Sequence, residues 1–179
     1  MWSHRKLSSG QVELDMLKKW HATSLAGKPE FHIVSNDSGG DVTPSVLRGK
    51  IDQYKPDFII VDYLQLMSPN QKADNETVRM KNLSRELKLM AIAEEVPIIA
   101  ISSATPDDVT KLDTVPTLGQ TAWSRQIAYD ADWVMALGRG ANSDIIECVF
   151  RKNRNGFMGE FLVEVDFDRG HYRYKDFEN

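Results

Sequence analysis

The chain has 179 residues, 41% of them apolar and 27% charged, which is typical of one globular domain over residues 1–179 and excludes a disordered chain. With 22 Lys and Arg against 26 Asp and Glu, the net charge is −4, so any contact with nucleic acid requires a local basic patch. The single cysteine, Cys148, excludes a disulfide framework and fits a reducing cytoplasm. No apolar run is long enough for a membrane span or a signal peptide, which predicts a cytoplasmic protein without a membrane partner.

Helices and strands are predicted to alternate along the first hundred residues. Thr43 followed by Pro44 is typical of a helix N-cap with proline at the first helical position. Leu83 and Leu87 belong to the apolar stripe of the clearest helix, and the apolar run before Asp62 is typical of a strand buried on both faces. In chain order, the predicted elements are a helix over 10–26, a strand over 31–34, a helix over 43–54, a strand over 57–62, a helix over 76–95 and a strand over 96–102.

The second half opens with a long polar loop and then becomes rich in β-type segments. Strands that alternate with helices imply a parallel α/β sheet with right-handed crossovers, and we expect the tail to add an antiparallel edge to it. The predicted elements are a helix over 121–129, a strand over 133–137, and β-type segments over 145–151, 160–168 and 172–174.

Two predicted strands end in polar side chains, at Asp62 and at Ser102-Ser103. Open parallel sheets bind ligands at the carboxyl ends of their strands. A carboxylate at such an end commonly holds Mg²⁺ through water beside a nucleotide phosphate. The alternative is that Asp62 only caps the turn that follows its strand. The four histidines show no metal-ligand spacing.

Longer strings in the sequence resemble a known family. Residues 57–67 read DFIIVDYLQLM, residues 84–102 read SRELKLMAIAEEVPIIAIS, residues 130–134 read DADWV, and residues 152–159 read KNRNGFMG. In this order and at these spacings they resemble the C-terminal part of the RecA-like motor of DnaB-type replicative DNA helicases. The resemblance covers nearly the whole chain and implies a RecA-like α/β fold, here an incomplete core.

The resemblance implies roles for individual residues and implies ATP and Mg²⁺ as cofactors. Asp62 corresponds to the Walker B aspartate that positions Mg²⁺ through water, and Ser102 and Ser103 fall in the nucleotide-binding region. Lys152 and Arg154 correspond to the pair that reaches the γ-phosphate of a neighbouring subunit. The chemistry agrees, because ammonium and guanidinium groups stabilise the charge of a transferring phosphoryl group. Without the family, residues 151–156 form a basic turn that is either a solvated hairpin or a general phosphate-binding patch.

The chain departs from the family pattern in three places. The phosphate-binding loop GxxxxGK[ST] is absent, and the family's catalytic glutamate lies upstream of the matched part. Ser103 stands where the family usually has the glutamine that senses the γ-phosphate. The run over 119–126, GQTAWSRQ, replaces the usual acidic and basic run before the DAD string.

Candidate DNA contacts are few. In the family, the loops between the last strands face single-stranded DNA. Here that loop holds three aspartates against the lone Lys111, so it repels phosphates, and DNA contact would have to use Lys111 or backbone N–H groups. Trp123 and Arg125 would stack on and pair with a nucleotide strand, although Trp123 on a helix is also typical of a core residue.

These observations predict part of a hexameric ATP-driven replicative helicase of a phage or bacterium. Its expected partners are identical or complementary subunits in a ring, single-stranded DNA, and a primase or loader. One alternative is a non-catalytic, helicase-like remnant that binds the oligomer or DNA, which the missing glutamine favours. A second is a RecA-like ATPase of recombination or circadian type, against which the DYLQLM and KNRNG strings argue.

Overall fold

The computed structural model describes residues 3–35, 40–71, 73–103, 115, 124–139 and 144–175. Its helices are α1 (His4–Ser8), α2 (Leu14–Ser24), α3 (Pro44–Tyr54), α4 (Glu76–Ala93) and α5 (Ser124–Asp130). Its strands are β1 (Ile59–Val61), β2 (Ile98–Ala100), β3 (Trp133–Arg139), β4 (Ile145–Asn153), β5 (Glu160–Asp166) and β6 (His171–Lys175).

The N-terminal segment differs from its prediction. Gly10, with φ +69°, separates α1 from α2, and no residue of α2 is buried. Residues 31–34 form no strand, and Phe31 and Ile33 are 83% and 80% exposed. A strand depends on the ladder of hydrogen bonds to a neighbour, and no described segment pairs with this one. The prediction of a strand at this position was therefore wrong.

Local capping chemistry explains why α3 and α4 begin where they do. The Thr43 hydroxyl accepts a hydrogen bond from the Val46 N–H with proline at the first helical position, as predicted. The Asn75 side chain accepts one from the Val78 N–H at 2.9 Å and so starts α4. The helix predicted over 76–95 is thereby confirmed to within two residues.

The core lies where α3 and α4 pack on one face of β1 and on the turn after it. The stripe predicted on α4 is buried here, and α5 contributes the partly buried Ile127. The cluster consists of Leu47, Ile51, Val61, Leu64, Met67, Met80, Leu83, Leu87 and Met90.

Strands β1 and β2 pair in parallel, with Ile59 opposite Ile98 and Val61 opposite Ala100. The prediction that β1 is buried on both faces was wrong, because Ile60 is 53% exposed. Successive side chains of a strand point to opposite faces, and no described element covers the face that carries Ile60. The helical core covers only the other face.

The remaining strands form a separate antiparallel sheet in the order β3-β4-β5-β6. The antiparallel sheet expected at the C-terminal end of the chain is thus present, and in the described residues β3 pairs only with β4. The turn from β4 to β5, residues 154–159, is called the β4–β5 turn below. Cys148 is buried in β4, and this burial raises the pKa of its thiol. Within the described ranges, no helix combines the length and the apolarity needed to cross a membrane.

We expect Leu83→Ala to lower the free energy of unfolding by about 2–5 kcal/mol, because Leu83 is 0% exposed and its removal leaves a cavity. Leu89→Ala on the same helix is the matched control. Leu89 is 50% exposed, and its loss should change stability by no more than about 0.5 kcal/mol. Urea unfolding measures both, and equal effects of the two substitutions would contradict this packing.

Candidate functional site

The carboxyl ends of β1 and β2 meet at one edge, as the sequence predicted. The Ile101 N–H donates to the Val61 carbonyl at 2.9 Å, and the Leu64 N–H donates to the Ile101 carbonyl at 2.8 Å. These two hydrogen bonds place Asp62 and Ser102 at the same edge of the parallel pair. Asp62 is exposed, and its carboxylate pairs with no residue in the described part of the chain.

Gln65 bridges the two strand ends, and sequence reasoning missed it. Its side-chain Nε2 donates to the Ser102 hydroxyl at 2.9 Å, and its Oε1 accepts a 3.5 Å contact from the Ser103 N–H. Gln65 lies within the DYLQLM string, so its type and place were visible in the sequence. Its partner, 37 positions away, was not visible there.

Arg79 holds the chain that follows Asp62. From α4, its guanidinium donates to the Met67 carbonyl at 2.6 Å and to the Gln65 carbonyl at 2.9 Å. Glu76 accepts from the same guanidinium, which lowers the pKa of the Glu76 carboxyl and raises the pKa of Arg79. The backbone carrying Gln65 is therefore held by the core helix.

The Asp62 carboxylate could serve as one ligand of a hydrated divalent cation that also binds a phosphate. Asp62 is an exposed carboxylate with no cationic partner in the residues described. No described cluster of three or more His, Cys, Asp or Glu side chains would enclose a metal. A cation at Asp62 would therefore take its other ligands from water and from a bound phosphate, as Mg²⁺ commonly does.

Lys152 has a different environment from the one its predicted role implies. Its Nζ donates to the carbonyls of Ala128, Tyr129 and Ala131 at 2.7, 2.9 and 2.6 Å, at the C-terminal end of α5. An ammonium has three N–H donors, so all of them are used. Burial, together with repulsion from Arg154, lowers the pKa of Lys152. The Lys152 side chain thus caps the C-terminal end of α5 and is partly buried there.

Arg154 lies in the β4–β5 turn next to Asp132. Its backbone N–H donates to the Asp132 carbonyl at 2.8 Å, and its Nη1 lies 3.1 Å from the Asp132 carboxylate. Across this turn, the Asn153 side-chain amide donates to the Phe157 carbonyl at 3.0 Å. The arginine is therefore presented by a turn of defined shape.

The two aspartates of the DADWV string join α4 to the antiparallel sheet. The buried Asp130 accepts a hydrogen bond from the Ser84 hydroxyl at 3.0 Å, and Asp132 accepts one from Lys88 Nζ. The bond from Lys88 is the largest cause that lowers the pKa of Asp132. Sequence reasoning used this string only for the resemblance, and these contacts were not predicted.

The predicted site residues therefore fall into two clusters. Asp62, Ser102 and Ser103 share the edge of the parallel pair, while Lys152 and Arg154 lie on the antiparallel sheet. No described hydrogen bond or ion pair joins the clusters. The proposed DNA contacts remain predictions, since Lys111 lies outside the described residues and only the backbone of Arg125, in α5, is described.

Comparisons with known proteins agree on one family. The model of the DnaB-like helicase C terminal domain matches residues 3–176. The replicative DNA helicase DnaB of Pasteurella multocida is 36% identical over 147 residues, which is 75% of this chain and 31% of that protein. The chain therefore spans about a third of this relative's length.

Two solved structures share the fold at 24% sequence identity each. The ATPase domain of G40P superposes with a TM-score of 0.81 over 97% of this chain and 66% of that one. A DnaB-like replicative helicase, solved with its interactions with primase, gives 0.79 over 95% and 44%. The architecture is thus the RecA-like α/β fold of these ATPase domains. Because the family model matches almost all of the sequence, the chain belongs to the family of DnaB-like helicase C-terminal domains.

Proposed function

We propose that this chain is a portion of a ring-forming, ATP-dependent replicative DNA helicase that unwinds duplex DNA by translocating on single-stranded DNA. Membership of the DnaB-like family supports the proposal, and the exposed, unpaired Asp62 at the carboxyl edge of β1 is the observation that carries it. A ligand-accepting carboxylate at this point of a parallel sheet is what a nucleotide-binding edge requires.

At that edge, Asp62 would position Mg²⁺ through water beside the phosphates of ATP. The bound cation would neutralise charge on the phosphates. Ser102 and Ser103 would line the same nucleotide edge, where Gln65 already orients the Ser102 hydroxyl.

Arg154 would act on the nucleotide of a neighbouring subunit. The resemblance of the KNRNG string to the pair that reaches a neighbouring subunit in the family supports action between subunits. Lys152 belongs to the same proposed pair, but direct contact with a phosphate would require it to release three carbonyls of α5. We therefore assign the main phosphate contact to Arg154.

The proposed partners follow from the family. They are identical or complementary subunits in a ring, single-stranded DNA reached through Lys111 and Arg125, and a primase or loader. One solved neighbour is a replicative helicase described with its interactions with primase, which supports the last of these.

The second candidate function is a non-catalytic module that keeps the oligomer or DNA contacts of a helicase. Serine at position 103, where the family usually has glutamine, favours it. The two candidates differ in one measurable respect, which is ATP turnover once a phosphate loop is supplied.

We expect the 179-residue chain alone to show no DNA-stimulated ATP hydrolysis above background. Backbone N–H groups and the lysine of a phosphate loop supply most of the binding to the β- and γ-phosphates, and the sequence has no such loop. Phosphate release with and without single-stranded DNA measures this. Turnover of about 1 s⁻¹ or faster, at the low end of typical enzymes, would contradict the assignment.

The decisive experiment is a chimaera in which this chain replaces the matched stretch of the Pasteurella multocida helicase. Arg154→Ala should lower its ATP turnover by about 10³–10⁵-fold with nucleotide affinity nearly unchanged, because such an arginine acts on charge in the transition state. Asp62→Asn should weaken both Mg-nucleotide binding and turnover. Arg169→Ala, at another turn of the same sheet, is the matched control and should leave turnover unchanged.

Mixing the two inactive chimaeras tests action between subunits. Mixed rings contain interfaces that pair an intact Asp62 with an intact Arg154, so part of the turnover should return. Unaltered rings that bind ATP without hydrolysing it would favour the non-catalytic module. If Arg154→Ala keeps most of the activity and mixing restores nothing, the KNRNG string is only a basic turn.

A further inference from the structure

Asp132 accepts one backbone hydrogen bond from Arg154, forms one ion pair with its side chain, and accepts one hydrogen bond from the core helix α4. Its carbonyl accepts the Arg154 N–H at 2.8 Å, and its carboxylate Oδ1 lies 3.1 Å from Arg154 Nη1. Its other carboxylate oxygen, Oδ2, accepts a hydrogen bond from Lys88 Nζ. Both oxygens of this carboxylate are therefore in ion pairs with cations that come from different elements of the fold.

Lys88 connects these contacts to the packed helix α4. It follows the buried Leu87 on α4, and its own side chain is mostly covered. From this packed helix, the Lys88 ammonium bonds Oδ2 of Asp132 and so orients its carboxylate. The oriented carboxylate then pairs through Oδ1 with the Arg154 guanidinium. The chain of contacts thus runs from the core to the β4–β5 turn.

Among the described residues, the Asp132 carboxylate is the one that lies next to Arg154, whereas Asp130 also acts on Lys152. Lys88, Lys152 and Arg154 all act on Asp132 and lower its pKa, with the hydrogen bond from Lys88 the largest cause. Arg154 and Lys88 also lower the pKa of Lys152, as expected for cations placed close together. Without Asp132 these like charges would repel one another, and Arg154, the most exposed of them, would turn away.

The ion pair leaves most of the guanidinium available. Arg154 and Asp132 are each about half exposed, and the closest atoms of the pair are Nη1 of Arg154 and Oδ1 of Asp132. Its Nε and Nη2 donate to no residue in the parts of the chain that the structure describes. A guanidinium has five N–H donors, so it can be held on one side and still bind a phosphate on the other.

We propose that Asp132, itself anchored by Lys88, is a positioning residue that holds Arg154 ready for a phosphate of the neighbouring subunit. This inference rests on the proposed function of Arg154. It differs from a purely structural role of Asp132 in joining α4 to the antiparallel sheet, because it requires that the effect of Asp132 pass through Arg154.

The first test needs no nucleotide and uses the 179-residue chain. The side-chain NMR signals of Arg154, identified by their loss in Arg154→Lys, report how freely the guanidinium rotates. Asp132→Asn keeps the shape and the carbonyl of the residue, and it should free this rotation. Lys88→Met should free it in part. Asp166→Asn breaks the equivalent pair with Arg169 and should change only the Arg169 signals. Unchanged Arg154 signals in a folded Asp132→Asn chain would overturn the proposal.

The second test is a double-mutant cycle in the chimaeric rings. Asp132→Asn should lower kcat by up to about 10²-fold with little change in KM, as misplacement of a transition-state contact does. Combined with Arg154→Ala, it should add no further loss, whereas a merely structural role would give additive losses. Additive losses would overturn the positioning role while leaving the proposed function intact. Full activity of Arg154→Ala would overturn the proposed function, and the NMR signals would still show whether Asp132 holds Arg154.

Discussion

Four apolar side chains on one stripe of α4 fill the core beside α3 and β1, and the polar side chains around that stripe reach the rest of the molecule. Arg79 donates to the turn after β1. Ser84 bonds Asp130 at the end of α5, and Lys88 bonds Asp132 just before β3. Glu94, at the end of the helix, pairs with Arg48 of α3 at 2.9 Å. A packed helix loses little further freedom when its polar side chains form such bonds. The buried stripe consists of Met80, Leu83, Leu87 and Met90.

Side chains of this one helix therefore contact both clusters of predicted site residues. Arg79 and Lys88 are nine positions apart, which corresponds to about 13 Å along a helix axis. Arg79 holds the backbone of Gln65 at the carboxyl ends of β1 and β2, and Lys88 holds Asp132 beside Arg154. In a ring, these two ends of α4 would belong to two different ATP sites. A shift of α4 along its axis would then be felt at both sites at once.

Helix caps and apolar stripes can be recognised in the sequence, so the elements that depend on them were predicted. Contacts between residues far apart in the sequence could not be predicted. Thr43-Pro44 and the stripe of α4 carry their own signals, so these helices and the edge that holds Asp62 were predicted. The strand over 31–34 was not formed, because its apolar pattern says nothing about whether a partner strand is present. The three carbonyls that bind Lys152 belong to residues 21 to 24 positions away, a contact that no spacing rule contains.

The burial of Cys148 allows the β4–β5 turn to be labelled selectively with a fluorescent dye. Thiol-reactive dyes attack the exposed thiolate, and this sulfur is both covered and held protonated by its apolar surroundings. We therefore expect Cys148 to react slowly with such dyes in the folded chain. Phe157, three residues beyond Arg154, is 96% exposed, so a cysteine placed there would carry the only reactive label. Its fluorescence would report whether the β4–β5 turn contacts a neighbouring subunit.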